Sequence, residues 1–368
     1  MTEINNTDKL IRADLKHLTS YQPIEPTDVL SQRSEISLKD VIKLDGNENP
    51  YGCSNKVREA LAEYPFYHIY PDPEQRKLKK ALSEYIGINV EHIVAGSGSD
   101  ELIDLILRLF IEPGDRVINL PPTFGMYPFC TGVCGGETVN IPRKQDFSID
   151  IPSIKKAVDN KTKVIFIASP NNPSGNITSE SEILELLNTN AIIVVDEAYA
   201  EFSGVTVSPK VIGCPNLIVL RTFSKWAGLA GLRLGYGIFP IDIASYLMKI
   251  KQPYNVNAAA EVAAIESLND MGYLQTTIRK IVNERERLKV KLDEINWIKT
   301  FPSQANFILC SILNGKAKEI YSYLQNKGIF IRYFDTAGLK DFLRISTGKP
   351  EETDYLIKTL KEITSQIL

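Results

Sequence analysis

The chain predicts an α/β fold, with a large domain on a mostly parallel sheet flanked by helices and a smaller α+β domain after it. Three observations lead there. Between about residues 47 and 254, apolar runs such as Val164-Ile-Phe-Ile-Ala168 and Ile192-Ile-Val-Val195 alternate with helical stretches, the pattern of parallel strands covered on both faces. Successive runs end in polar clusters, and the carboxyl ends of strands are where open α/β sheets bind ligands. Past residue 270 the pattern changes: strand-like Asn306–Cys310, Ile329–Tyr333 and Phe342–Ser346 surround the helix-like stretch Lys316 to Lys327, an α+β arrangement.

Taken in order, residues 1–45 read as a mostly irregular arm packing with the small domain, because Pro23 and Pro26 interrupt any helix there. Residues 46–270 form the large domain and 271–368 the small one. In the large domain, Ile93-Val-Ala95 runs into Gly96-Ser-Gly-Ser-Asp100 and then an apolar helix from Glu101 to Ile111. The run Arg116–Leu120 ends in Pro121-Pro-Thr-Phe124, the run 164–168 in Ser169-Pro-Asn-Asn-Pro-Ser-Gly175, and the run 192–195 in Asp196-Glu-Ala-Tyr199. Asn257 to Leu292 reads as long helical sequence whose second half alternates in charge, as a solvated face does.

Composition excludes several classes. The 368 residues are 43% apolar and 24% charged, with a net charge of −3, ordinary for a globular protein and without the basic excess that nucleic acid or an anionic membrane attracts. No apolar stretch approaches a membrane span and the N-terminus lacks a signal-peptide pattern, so the expected location is the cytoplasm. Cys53, Cys130, Cys134, Cys214 and Cys310 are odd in number and scattered, which predicts free thiols. Cys130 and Cys134 have no histidine near them in sequence, and no metal is expected.

The chemistry concentrates on Lys225, in the run Leu220-Arg-Thr-Phe-Ser-Lys-Trp-Ala-Gly-Leu-Ala-Gly-Leu-Arg233. A lysine amine forms a Schiff base with the aldehyde of pyridoxal phosphate, while Thr222, Ser224 and Arg233 suit a phosphate dianion. Asp196 suits the buried carboxylate that keeps a pyridine nitrogen protonated. Asn172 and Tyr199 suit hydrogen bonds to the ring's phenolate oxygen. Asn172 and Asp196 are 24 residues apart, and Asp196 and Lys225 are 29 apart, each gap leaving room for one crossover helix. Each position also admits a plain role, Asp196 as a helix N-cap and Asn172 as a turn residue; their conjunction points to a cofactor. Ser99 and Asp100 start a helix after glycines, which suits an anion. Phe124 sits at the same rim and suits stacking on a ring. Arg332 and Arg344 suit a clamp on an anionic substrate end.

On Ser169 to Gly175, Asp196 to Tyr199, and Thr222 to Lys225 with Arg233, the chain resembles the fold-type I, class I/II pyridoxal-phosphate-dependent aminotransferases, whose fold is aspartate-aminotransferase-like. Within them it is most similar to the histidinol-phosphate branch, through Leu44-Asp-Gly-Asn-Glu-Asn-Pro-Tyr-Gly52, Tyr70-Pro71, Pro121-Pro-Thr-Phe-Gly-Met-Tyr127 and Leu343-Arg-Ile-Ser-Thr-Gly348. The resemblance implies pyridoxal 5'-phosphate as cofactor, Lys225, Asp196 and Tyr199 as catalytic residues, and the main-chain amides of Ser99 and Asp100 on the cofactor phosphate. Many relatives carry tyrosine at the position of Phe124, which keeps the stacking but lacks the hydroxyl.

It further implies Tyr21, Asn49, Asn172, Tyr254, Arg332 and Arg344 near the substrate. In a general aminotransferase the arginine at 344 holds the α-carboxylate of glutamate or 2-oxoglutarate; in this branch it also serves a phosphate. Tyr70 matches a position that reaches the cofactor phosphate of the neighbouring subunit, which implies a homodimer. The implied activity is ping-pong transamination between histidinol phosphate (or imidazole-acetol phosphate) and 2-oxoglutarate (or glutamate) in L-histidine biosynthesis. Alternatives on the same residues are an aromatic amino-acid aminotransferase and a threonine-phosphate-decarboxylase-like enzyme. A noncatalytic pyridoxal-phosphate-sensing domain is remoter, since such regulators carry a DNA-binding segment that this short, weakly basic N-terminus does not provide.

Overall fold

The computed structural model of the chain describes residues 9–313, 315–336 and 338–363. Two sheets organise them. The strands are β1 (Ile42–Leu44), β2 (Ile93–Gly96), β3 (Arg116–Asn119), β4 (Glu137–Asn140), β5 (Thr162–Ala168), β6 (Ile192–Asp196), β7 (Leu217–Thr222), β8 (Gly235–Ile238), β9 (Ile298–Thr300), β10 (Phe307–Ile312), β11 (Ile329–Tyr333) and β12 (Phe342–Ser346).

The large sheet has seven strands in the order β2-β8-β7-β6-β5-β3-β4. All run parallel except β8, which is antiparallel to both neighbours. The apolar runs became the central strands because helices cover both faces and every side chain must be dry. β7 is buried at every position. Since β2, β3, β5, β6 and β7 point the same way, their carboxyl ends share one edge of the sheet. β8 has the sequence Gly-Tyr-Gly-Ile, too short and glycine-rich to announce itself as a strand. Its glycines are needed for space: a Cβ at Gly235 would overlap the Ser99 amide nitrogen, and one at Gly237 would overlap the Phe239 ring.

The small sheet has the order β1-β11-β12-β10-β9, with β1 parallel to β11 and the other pairs antiparallel. Its own core contains Trp297, Ile308, Ile320, Leu343 and Leu356. The 23-residue helix Met271–Asp293 links the two cores: Leu274 and Ile281 pack with the large one, Leu288 and Leu292 with the small one.

Three local expectations are corrected. The prolines of the mostly irregular N-terminal arm do not exclude a helix there, since one spans Thr27–Ser34 directly after Pro26; proline blocks a helix from continuing through it but suits the position where one begins. The helix expected from Glu101 starts at Gly98, because the Glu101 carboxylate caps the Ser97 N–H at 2.5 Å and supports an extra turn. The long helical stretch 257–292 is two helices, Ala258–Asn269 and Met271–Asp293, broken at Asp270, whose backbone leaves the helical region.

One buried ion pair ties the active edge together. Arg221 on β7 donates through Nε and Nη2 to Glu197 Oε2, at 3.0 and 2.9 Å, beside Asp196. Glu197 also accepts from Thr206 Oγ1 and the Val207 N–H. Removing the cation strands buried carboxylates, which costs about 3–5 kcal/mol. Arg221→Met is therefore expected to lower unfolding stability by that amount in urea denaturation near pH 7.5; a loss below about 1 kcal/mol contradicts this role.

Candidate active site

A cleft of about 1070 Å³ opens between the carboxyl edge of the large sheet, the small sheet and the N-terminal arm. All the residues singled out in the sequence line it except Asn49, Tyr70 and Tyr254.

Lys225 leaves the end of β7 and donates from Nζ to the Gly46 carbonyl at 2.9 Å. Burial, and then the nearby Arg344 charge, lower its pKa to about 8. Asp196 ends the adjacent strand β6 and is 5% exposed. Its Oδ2 accepts from the Tyr127 hydroxyl at 2.6 Å and its Oδ1 from the Ala198 N–H at 3.1 Å. Burial outweighs these two hydrogen bonds and raises its pKa to about 6. Tyr127 is itself locked in a stack on Phe166, 4.6 Å between centroids.

The Tyr199 hydroxyl accepts from Asn47 Nδ2 at 3.0 Å. Asn172 follows β5, and its Oδ1 accepts from Arg344 Nη1 at 2.6 Å, so its NH₂ end remains for donation. Arg344 also donates to the Asp45 carbonyl and lies 5.3 Å over the Phe307 ring. Burial depresses its pKa. Arg332 enters from β11 and donates to the Gln22 carbonyl of the arm at 3.2 Å, placing Tyr21 at the mouth of the cleft. Tyr21 meets Phe124 edge-on, with centroids 6.2 Å apart.

The opposite end is built for an anion. Ser99 and Asp100 occupy the first turn of the helix Gly98–Phe110, where backbone N–H groups have no intrahelical acceptor. Arg233, held with φ at 56°, donates from Nη2 to Asp100 Oδ2 at 2.6 Å. Thr222 Oγ1 lies 2.9 Å from Ser224 Oγ. Any side chain would spoil this concavity: a Cβ at Gly98 would stand 2.6 Å from Arg233 Nη2. The donor set fits pyridoxal phosphate in three places: an amine for the aldehyde, a buried carboxylate for the ring nitrogen, and a glycine-walled cradle for the phosphate.

The three exceptions have clear reasons. The amide of Asn49 is spent on backbone, donating to the Trp226 carbonyl at 2.8 Å and accepting from the Tyr51 N–H; Asn47, two residues earlier, takes the cleft wall instead. Tyr70 and Tyr254 stack on each other at 4.5 Å on the surface outside this cleft. Cleft residues not singled out from the sequence include Asn47, Tyr127 and Arg143, the last holding the Leu120 and Phe147 carbonyls. Asn47 and Tyr127 lie inside motifs already noted, but only the fold shows what they touch.

The sequence profile of the family described as aminotransferase class I and II matches residues 39–360. The chain belongs to that family. Among curated relatives, a histidinol-phosphate aminotransferase of Dehalococcoides mccartyi is 50% identical over 358 residues, 97% of this chain and 99% of the relative. Histidinol-phosphate aminotransferase 1, chloroplastic, of Arabidopsis thaliana is 47% identical over 358 residues, 96% of this chain and 86% of the relative. Among solved structures, histidinol-phosphate aminotransferase from Sinorhizobium meliloti in complex with pyridoxal-5'-phosphate superposes with a TM-score of 0.89 at 27% identity, covering 97% of this chain and 98% of that one.

The raised pKa of Asp196 has a consequence for stability. The folded carboxyl holds its proton up to about pH 6, against 3.8 ordinarily, so the native state binds the extra proton between those values and loses stability as pH rises through them. Above pH 6 the penalty, on the order of 3 kcal/mol, is constant. Asp196→Asn is expected to make the cofactor-free chain more stable than the unaltered one above pH 6, the difference fading below about pH 4, as read by urea unfolding across that range.

Proposed function

We propose that the chain is a pyridoxal-phosphate-dependent transaminase that moves the amino group of histidinol phosphate to 2-oxoglutarate. The observation that carries the reading is the convergence of the Lys225 amine, the buried Asp196 carboxylate and the Arg233 cradle on one cleft. The relatives at about half identity over nearly the whole chain supply the substrate.

When bound, pyridoxal phosphate supplies an aldehyde that takes up the amino group and a protonated ring that draws electrons from the reacting carbon. Arg233, Ser224, Thr222 and the first-turn amides of Ser99 and Asp100 would hold its phosphate. Asp196, its carboxylate steadied by Tyr127 and the Ala198 N–H, would pair with the ring nitrogen, and Phe124 would stack on the ring. With its pKa near 8, Lys225 Nζ is partly neutral at physiological pH, and it takes the proton from the substrate Cα and returns it on the product side. Arg344, with Arg332 beside it, pairs with the anionic end of either substrate, phosphate in one half-reaction and carboxylate in the other. Tyr21 limits water at the mouth.

The reading extends to a cytoplasmic homodimer, and to a chain divided into an N-terminal arm, a large domain and a small one. Tyr70 is 78% exposed and stands on Tyr254 away from its own cleft, with Phe66, Tyr67 and Ile69 exposed nearby. Such an aromatic surface suits a second copy whose cradle Tyr70 would complete.

Purified protein incubated with pyridoxal phosphate and histidinol phosphate is expected to form glutamate only when 2-oxoglutarate is added. Glutamate formed from 2-oxoglutarate with phenylalanine but not with histidinol phosphate, or carbon dioxide from threonine phosphate without an oxo acid, would replace the assignment with one of its rivals. Lys225→Ala should lower turnover by at least about 10³-fold while cofactor still binds without a covalent link. A normal rate in that variant removes the mechanism.

A further inference from the structure

We propose that Asn47 is a positioning residue that fixes the direction of the Tyr199 hydroxyl proton, making Tyr199 an obligate donor into the cleft. This rests on reading the cleft as the pyridoxal phosphate site. Three hydrogen bonds around Asn47 share one consistent orientation. The Asn47 backbone N–H donates to Ser346 Oγ at 2.9 Å. Ser346 Oγ, accepting there, turns its own proton to Asn47 Oδ1 at 2.8 Å. With Oδ1 on that contact, the end 3.0 Å from the Tyr199 oxygen is the NH₂ group. An amide NH₂ donates and cannot accept. The Tyr199 oxygen therefore accepts from it, and the phenol proton points elsewhere.

The cleft is open to that proton. Tyr199 is 5% exposed and lines the cleft together with Asn47 and Lys225. Burial raises the Tyr199 pKa to about 12, which keeps the phenol protonated. A donor held at this spot stabilises an anionic ring oxygen on a bound cofactor.

Asn47 is unusually well held for this work. It adopts φ of 53°, a left-handed conformation that few residues other than glycine take and asparagine tolerates. Its carbonyl accepts from Asn306 Nδ2 at 2.9 Å, and its side chain is 1% exposed. Ser346 and Asn306 border strands of the small sheet, whereas Tyr199 follows β6 of the large one. The direction of a hydroxyl on one side of the cleft is thus set from the other side.

The test is Asn47→Asp, which keeps the shape and the Ser346 contact but replaces the NH₂ group with an oxygen that only accepts. Tyr199 then turns its proton to the introduced carboxylate and away from the cofactor. The pH midpoint of the absorption change of bound pyridoxal phosphate is read for Asn47→Asp in chains carrying Tyr199 and in chains carrying Tyr199→Phe. The expected rise is about one to two pH units larger when Tyr199 is present, the equivalent of one charge-assisted hydrogen bond. Equal shifts in the two backgrounds would mean that Asn47 acts only through charge or packing and would overturn the proposal. Ser346→Ala, which releases the amide to flip, provides a second measurement if Asn47→Asp does not fold, and it should raise the midpoint in the same Tyr199-dependent way; no Tyr199-dependent rise in Ser346→Ala overturns the proposal as well. An unaltered chain that takes up no pyridoxal phosphate on Lys225 sinks the reading of the cleft itself. A normally titrating chain with unmoved variants sinks the role of Asn47 alone.

Discussion

The common direction of β2, β3, β5, β6 and β7 is the constraint on which the site depends. A parallel strand returns to the same edge only after a crossover, so every strand in such a sheet delivers its carboxyl end to one rim. The lysine, the aspartate, the asparagine and the helix that starts at Gly98 come from four different strand ends and meet because of that geometry. Antiparallel pairing would have sent alternate ends to opposite rims. β8 is the exception that completes the plan, since its reversed direction brings Arg233 back to the same rim just before the strand begins.

Burial gives these groups their chemistry at some cost to the fold. Asp196, Lys225 and Arg344 are each drawn toward their neutral forms by loss of water. The fold answers with specific partners: Tyr127 and the Ala198 N–H for the aspartate, the Gly46 carbonyl for the lysine, Asn172 and the Asp45 carbonyl for the arginine. Those partners hold position more than they restore ordinary pKa values. A lysine titrating near 8 is suited to proton traffic close to neutrality. Strain accompanies this, with Asn47, Phe147 and Arg233 all at positive φ around the cleft.

The cleft is also a joint between two cores. The helix Met271–Asp293 runs through both, and the loop after β1 carries Asp45, Gly46 and Asn47 from the small sheet to the large sheet's rim. Gly46 receives Lys225, Asp45 receives Arg344, and Asn47 addresses Tyr199. Three consecutive residues thus couple the placement of the small sheet to the residues expected to touch the cofactor.

By itself the sequence determined the alternation of buried strands and helices, and with it the parallel sheet, because continuous apolar runs such as 164–168 and 192–195 are intelligible only where both faces are covered. It also determined the candidates at the strand ends, since Lys225, Asp196, Asn172 and Arg233 stand close to those runs. The glycine-rich strand β8 and the polar edge strand β4 lack such runs and were not legible. Only the tertiary structure decided which of two nearby asparagines faces the cleft, that the distant Tyr127 joins the Ala198 N–H in holding the Asp196 carboxylate, and that Tyr70 and Tyr254 lie outside the cleft. The reason is physical: a hydrogen bond such as Tyr127 to Asp196, 69 positions apart, depends on two side chains meeting in space, and no local pattern records that.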